Sequence, residues 1–244
     1  MDRQRRIPEL FLGLLAIGVS IVLVAHIIGG TVRDVRHTRD TLTVTASARV
    51  PISANLVRWS LSVSADAGTV APAARRLRRD STLVRKFLLA AGIPGDAITP
   101  SVVASEQVVI RLPHHRRRVR YRVSQQLEVR TKQIDVVEAA ATRVGSLLED
   151  GVEVSAAPLA YLSTELAQSK LTALERATAE ARRRAEILAH GLGGKLGRMR
   201  SSSQGVYQVT PRDSTDVSDY GINDTTSRDK DVNAVVSATF AVNR

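Results

Sequence analysis

The chain of 244 residues contains no cysteine, which excludes disulfide staples and thiolate chemistry and is compatible with an oxidising compartment. Aromatic residues make up only 3% of it, and Trp59 and Tyr121 fall in phase with apolar neighbours, so a wet sheet face would offer no platform for stacking bases. Lysine is scarce as well. Only five of the 35 basic residues are Lys, so arginine does the solvating work, and arginine-rich stretches read first as solvated surface. There is no His-x-x-x-His or His-Glu-x-x-His spacing, no Gly-x-Ser-x-Gly elbow and no phosphate-cradling glycine loop. His114 and His115 are adjacent and would point to opposite faces of a strand, His37 stands alone, and His190 suits the negative end of a helix. The expectation is therefore a non-enzymatic protein with no catalytic residue, no metal ligand and no cofactor.

What the chain does have is positive charge. The formal net charge is +11, of which residues 1–30 supply +1 (Arg3, Arg5 and Arg6 against Asp2 and Glu9) and the remainder +10. Three clusters carry much of it: Arg75, Arg76, Arg78 and Arg79; His114 to Arg118 with Arg120 and Arg122; and Arg182 to Arg184. Nucleic acid is disfavoured as a partner by the missing aromatics. Anionic lipid headgroups or an anionic envelope polymer fit better, with Arg75, Arg76, Arg78, Arg79, Arg116, Arg117 and Arg118 as the candidate binding residues.

Leu10 to Gly30 is a run of 21 residues without Asp, Glu, Lys or Arg. As a helix it would be about 31 Å long, enough to cross a hydrocarbon core. A cleaved signal peptide has a shorter apolar core and a small-x-small site, which His26-Ile27-Ile28-Gly29-Gly30 lacks, so the run reads as an uncleaved single-pass anchor. The organisation expected is a cytoplasmic N-terminus (1–9), a transmembrane anchor (10–30), a linker (31–40) and one domain (41–244), large enough to hold a substantial core.

Within that domain, Val57, Trp59, Leu61, Val63 and Ala65 alternate with Arg58, Ser60, Ser62 and Ser64, and Val119 to Arg130 repeats the pattern, which makes strands with one dry and one wet face. Leu77, Ser81, Val84, Leu88 and Ala91, and later Val137, Ala140, Ala141, Val144 and Leu148, recur at helical spacing, ended by Gly92 and Gly151. The order predicted is strand 41–49, strand 56–65, helix 69–91, strand 97–111, strand 117–130, helix 133–149, strand 152–161, helix 163–192, strand 195–208 and strand 231–242. The fold class is α+β, an antiparallel sheet with helices on one face, and its middle reads β-α-β-β-α-β, the split-βαβ arrangement. Tyr207 to Asp231 has no period. Its many Asp, Asn and hydroxyl residues do not match a calcium loop and read as Asx and Ser/Thr turns.

The most specific stretch runs from Leu174 to Ser203. Ala167, Leu171, Leu174, Thr178, Ala181, Ala185, Leu188 and Leu192 make one helix face, on which Ala177, Ala181, Ala185 and Ala189 would permit close approach to a sheet, and Gly193-Gly194 supplies the stop. The arrangement Arg176-Ala177-x-x-x-Ala181-Arg182-x-x-Ala185-x-x-Leu188-Ala189-x-x-x-Gly193-x-x-Leu196-Gly197 resembles the SIMPL domain family of bacterial envelope proteins. Thr41-Leu-Thr-Val-Thr-Ala-Ser-Ala, Ala90-Ala-Gly-Ile-Pro-Gly-Asp-Ala-Ile and Asp231-Val-Asn-Ala-Val-Val-Ser-Ala-Thr-Phe are similar to the family's opening strand, helix-to-strand turn and closing strand. Tyr207-Gln-Val-Thr-Pro and Val217-Ser-Asp-Tyr-Gly-Ile-Asn-Asp resemble its membrane-anchored members.

The resemblance implies export, which breaks the tie between Arg3, Arg5 and Arg6 before the apolar run and Arg33, Arg36 and Arg39 after it: residues 31–244 are expected on the periplasmic or extracellular side of a bacterial cytoplasmic membrane. It also implies a role in envelope or oxidative-stress maintenance. Self-assembly is expected through exposed strand edges or the wet sheet face, where Arg58, Arg120, Arg122 and Arg130 face only Glu128 within two strands, so that acids from another subunit would complement them.

Overall fold

A computed structural model describes residues 40–111 and 117–243. The expected anchor, most of the linker, the two histidines of the hairpin tip and Arg116 lie outside the described residues. Along the chain run β1 (Thr41–Ser53), β2 (Leu56–Ala67), α1 (Val70–Ala90), a short 3-10 turn (Gly95–Ala97), β3 (Ile98–Pro100), β4 (Ala104–Arg111), β5 (Arg117–Thr131), α2 (Ile134–Arg143), α3 (Ser146–Glu149), β6 (Val154–Ala156), β7 (Ala160–Leu162), α4 (Leu166–Gly191), β8 (Lys195–Gln204), β9 (Gln208–Pro211), β10 (Ile222–Asn223) and β11 (Asp229–Asn243). The class is α+β, but the strands form two sheets, of six and of five strands, where one was expected. The described residues divide into two compact units: 48–175 with 206–234, and 176–205 with 235–243 and 40–47.

The larger unit contains the split-βαβ arrangement. Its six-stranded sheet has β5 and β2 at the centre, β3 and β4 beside β5, and β6 and β7 beside β2, all antiparallel. The pairs Trp59↔Val129, Leu61↔Leu127 and Ala65↔Val123 stack apolar side chains on one face, where Ala73, Leu77, Val84 and Leu88 of α1 and Ile134, Val137 and Ala140 of α2 join them in one buried cluster. Trp59, the largest member, satisfies its indole N–H by donating to the Ala157 carbonyl at 3.0 Å.

Three interruptions depart from the expected elements. The strand expected over 97–111 breaks at Ser101–Val103. Pro100 pairs with Leu127 and Ala104 with Ser124, so three residues stand opposite two, a β-bulge. Ser101 Oγ accepts the Gln126 N–H at 3.0 Å, replacing a ladder bond. The helix expected over 133–149 divides at Val144-Gly145, where glycine disfavours continuation, and Pro158 separates β6 from β7. The five-stranded sheet is mixed, because β10 runs parallel to β9.

In the smaller unit, Ala181 and Ala185 of α4 pack with Val44, Ala46, Ala238 and Phe240, flanked by Leu42 and Leu196. The buried row of α4 is Ala173, Ala177, Ala181, Ala185 and Ala189, at strict four-residue spacing, while Leu171, Leu188 and Leu192 are exposed, contrary to the face expected from the leucines. Each four-residue step turns about 40° past a full revolution, so the row winds around the helix and leaves those leucines outside it. Past the helix end, Gly193 adopts a left-handed φ of 77°, and its N–H and that of Gly194 bond back to His190 O and Ala189 O. Gly194 and Gly197 are required by space: a Cβ on Gly194 would lie 2.9 Å from Val242 Cγ1, and one on Gly197 would lie 3.0 Å from Ala241 O. The glycines of the family-like motif thus let β8 close on β11.

Replacing Ala181 or Ala185 with Leu is expected to destabilise the protein by about 1–3 kcal/mol, since a methyl-width gap cannot take three more carbons. Chemical denaturation of the single variants measures it, and an unchanged midpoint would show that the row does not face a packed sheet.

Candidate functional site

The arginines singled out by sequence fall in three environments. On α1, Asp80 lies on the buried face beside Leu77 and Val84 and is itself fully buried. Arg79 and Arg76 reach it at 2.9 and 3.6 Å. Two members of the Arg75, Arg76, Arg78 and Arg79 cluster are therefore held by an internal carboxylate, and Arg75 and Arg78 stand on the exposed side. Around them the helix carries Arg85 and Lys86, and Asp80 is its only acid. Cations three or four positions apart, such as Arg75 with Arg78 and Arg79, repel by about 0.2–0.5 kcal/mol per pair.

The wet face of the larger sheet differs from expectation in its charge pairing. β2 continues to Ala67, two residues past its expected end, and its register sets Asp66 opposite Arg122. Arg122 donates to both Asp66 oxygens, at 3.0 and 3.1 Å, and lies 3.9 Å from Glu106 of β4, while Arg120 donates to the Asp66 carbonyl at 3.4 Å. Much of the complement sought from another subunit is thus supplied within the chain. Arg58 and Arg130 remain as a directly opposed like-charge pair, both exposed.

Beyond the bulge, β4 and β5 form a ribbon of which β4 is exposed along nearly its whole length. Val109↔Val119 and Arg111↔Arg117 share one face, and Ile110↔Arg118 and Val108↔Arg120 share the other. Arg117 and Arg118 thus sit at the end of the described ribbon, pointing to opposite faces.

One polar cluster had no sequence signal. Lys230 is 3% exposed; its ammonium donates to Tyr161 O at 2.8 Å and to Asp224 O at 2.5 Å, with an Asp224 carboxylate oxygen at 4.0 Å. Burial pulls its pKa below the usual lysine value, against the Asp224 charge. Burial alone would push the Asp224 carboxyl up, but hydrogen bonds from Thr226 and Ser227 and the Lys230 charge outweigh it and hold the pKa below the ordinary range. Tyr161 donates to Glu138 at 2.7 Å, and burial together with that carboxylate raises its pKa to about 12. Arg228 bridges Asp135 and Glu138 at 2.6 and 3.7 Å. Asp224 also forms the Asx turn to Thr226, and Ser214 and Ser218 make the serine turns expected for the segment. A lysine between two aspartates at a strand start looks like solvated polar sequence; only the pairing of β11 with β9 shows it turned inward. Among the described residues no group of three His, Cys, Asp or Glu is placed to hold a metal ion, and no helix is long and apolar enough to cross a membrane.

Lys230→Ala is expected to cost about 3–5 kcal/mol, because it leaves the Asp224 carboxylate without its counter-ion and two carbonyls without their donor. Because the folded-state pKa of Asp224 is depressed, its contribution is present above the unfolded carboxylate pKa of about 4 and is lost as pH falls through the lower folded value. Denaturation midpoints measured down the acid range check both. A Lys230→Ala protein as stable as its parent would overturn the assignment.

A family model described as "SIMPL: Protein of unknown function (DUF541)" matches residues 42–240, spanning the opening strand, α4 with its glycines, and all but the end of β11. No curated protein matches the chain at a significant level. With most of its length covered by that model and the alanine row and glycine contacts in place, the chain belongs to the SIMPL family.

Proposed function

We propose that this SIMPL-family chain is a non-enzymatic protein of the bacterial cell envelope that works by self-assembly or partner binding. The apolar run 10–30 holds it to the cytoplasmic membrane, and residues 31–244 lie on the outer side. The observation that carries the reading is the edge of β4, eight residues paired among the described residues only with β5, with Val109 and Ile110 at 49% and 39% exposure. An edge of that length with apolar side chains is a template for another strand unless it is covered or charged. β8 offers a second long edge, paired with β11 and exposed from Arg198 to Gln204. Tethering to a surface raises the local concentration and favours assembly through a weak contact. A part in envelope or oxidative-stress maintenance is the physiological setting that family membership suggests.

Light scattering of the detergent-extracted full-length protein is expected to give a protein mass that is a multiple of the monomer's. Val109→Lys combined with Ile110→Lys is expected to shift it towards the monomer without changing the circular dichroism, because charge on an edge strand blocks pairing. A monomer mass at every accessible concentration would overturn assembly.

The second reading, a basic module for anionic lipid, envelope polymer or nucleic acid, is favoured by one specific observation, the cations on the outer side of α1.

A further inference from the structure

We propose that the outward ridge of α1 is a docking surface for the phosphate headgroups of an anionic bilayer. The buried row Ala73, Leu77, Asp80, Val84 and Leu88 fixes which side of the helix faces the core. On the opposite side lie Arg75, Arg78, Arg79, Thr82 and Lys86, all exposed, while Arg85 stands on the flank, where it donates to the Gly95 carbonyl at 3.4 Å. They form a ridge about 16 Å long from Arg75 to Lys86. The only acid of the helix is the buried Asp80, engaged by Arg76 and Arg79, and none of Arg75, Arg78, Arg85 and Lys86 is paired with a described carboxylate.

The same chain supplies the control for this pattern. On α4, Arg182 pairs with Glu186 at 3.0 Å and Arg184 with Glu180 at 2.9 Å, four residues apart in each case. A general preference for arginine would burden both helices alike; acids are interleaved on α4 and missing from the outside of α1. A helix that keeps mutually repelling cations on its exposed ridge is matched to a partner that supplies the anions. The form of the ridge selects the partner. A helix surface is convex, which suits a flat surface better than the grooves that track a nucleic acid strand, and the ridge carries no aromatic side chain for base stacking. Leu83 and Leu89 are exposed on its flanks and could enter the headgroup layer. Each cation near an anionic leaflet adds to attraction that decays within a Debye length. The ridge deepens the membrane-anchored reading but does not require the anchor.

The absence of cysteine makes a single introduced thiol unique. The full chain carrying Thr82→Cys, at the middle of the ridge, is mixed with vesicles of phosphatidylcholine alone or of equimolar phosphatidylcholine and phosphatidylglycerol and treated with a neutral polyethylene-glycol maleimide. The expected result is a reaction slowed by about fivefold or more on the anionic vesicles. It recovers at about 0.5 M salt, where charges are screened over a few ångströms. Thr215→Cys, an exposed position in the loop before β10, is expected to react equally on both, and Arg75→Glu with Arg78→Glu and Lys86→Glu is expected to abolish the protection at Thr82→Cys. Equal reaction on the two vesicle types overturns the proposal. So does protection by soluble polyphosphate that vesicles do not exceed, which would make the ridge a site for free polyanions. Flotation separates this outcome from the anchor: flotation with phosphatidylcholine alone reports the apolar run, salt-sensitive flotation with anionic vesicles only supports the ridge without it, and flotation with neither overturns both.

Discussion

The β2–β5 ladder is the constraint on which the larger unit depends. It runs without a break from Val57↔Thr131 to Ala67↔Tyr121 and sets two consequences at once. On one face it aligns Trp59, Leu61 and Ala65 with Val129, Leu127 and Val123 under α1 and α2. On the other it brings Asp66 to Arg122 and sets Arg58 against Arg130. A slip of one residue would exchange the two faces throughout, burying arginines and exposing the core, so register and hydrophobic pattern enforce each other.

That ladder was legible in the sequence because both strands alternate over ten or more residues, and α1 was legible because its apolar spacing is regular and Gly92 stops it. The legibility failed where local pattern gives way to tertiary placement. The bulge at Ser101–Val103 has no distinctive composition beyond Pro100, and the buried Lys230 depends on β11 meeting β9 and on a carbonyl 69 residues earlier in the chain. The alanine row of α4 was seen, but its leucines were assigned to the same face, because hydrophobicity alone does not distinguish a side chain that fills a gap from one for which the gap is too narrow. Of the candidate residues, the cluster on α1 was found as a group; the division into two arginines held by Asp80 and two on the outer side could not be read without knowing that Asp80 faces inward.

Charge in this protein is handled in three distinct ways. α4 pairs Arg182 and Arg184 with acids one turn away, the wet sheet face pairs Arg122 across strands with Asp66 and Glu106, and the loop before β11 encloses one lysine in carbonyl and carboxylate oxygens. Arg75, Arg78 and Lys86 on the outer side of α1 use none of these devices.

The bulge between β3 and β4 acts as a change of parity. Up to it, even-numbered residues face the core: Ile98 stands opposite Val129 and Pro100 opposite Leu127. After it, odd-numbered residues take that side of the sheet, beyond the covered core, with Ser105 opposite Val123. The single inserted position therefore sends Glu106 to the arginine side, where it lies 3.9 Å from Arg122, and places Val109 beside Val119 on the apolar side. Had the strand run on uninterrupted, the acid would have been directed at the core and the valine at the arginines. One extra residue thus sets an acid opposite Arg122 and a valine opposite Val119, and leaves Val108 and Ile110 across from Arg120 and Arg118.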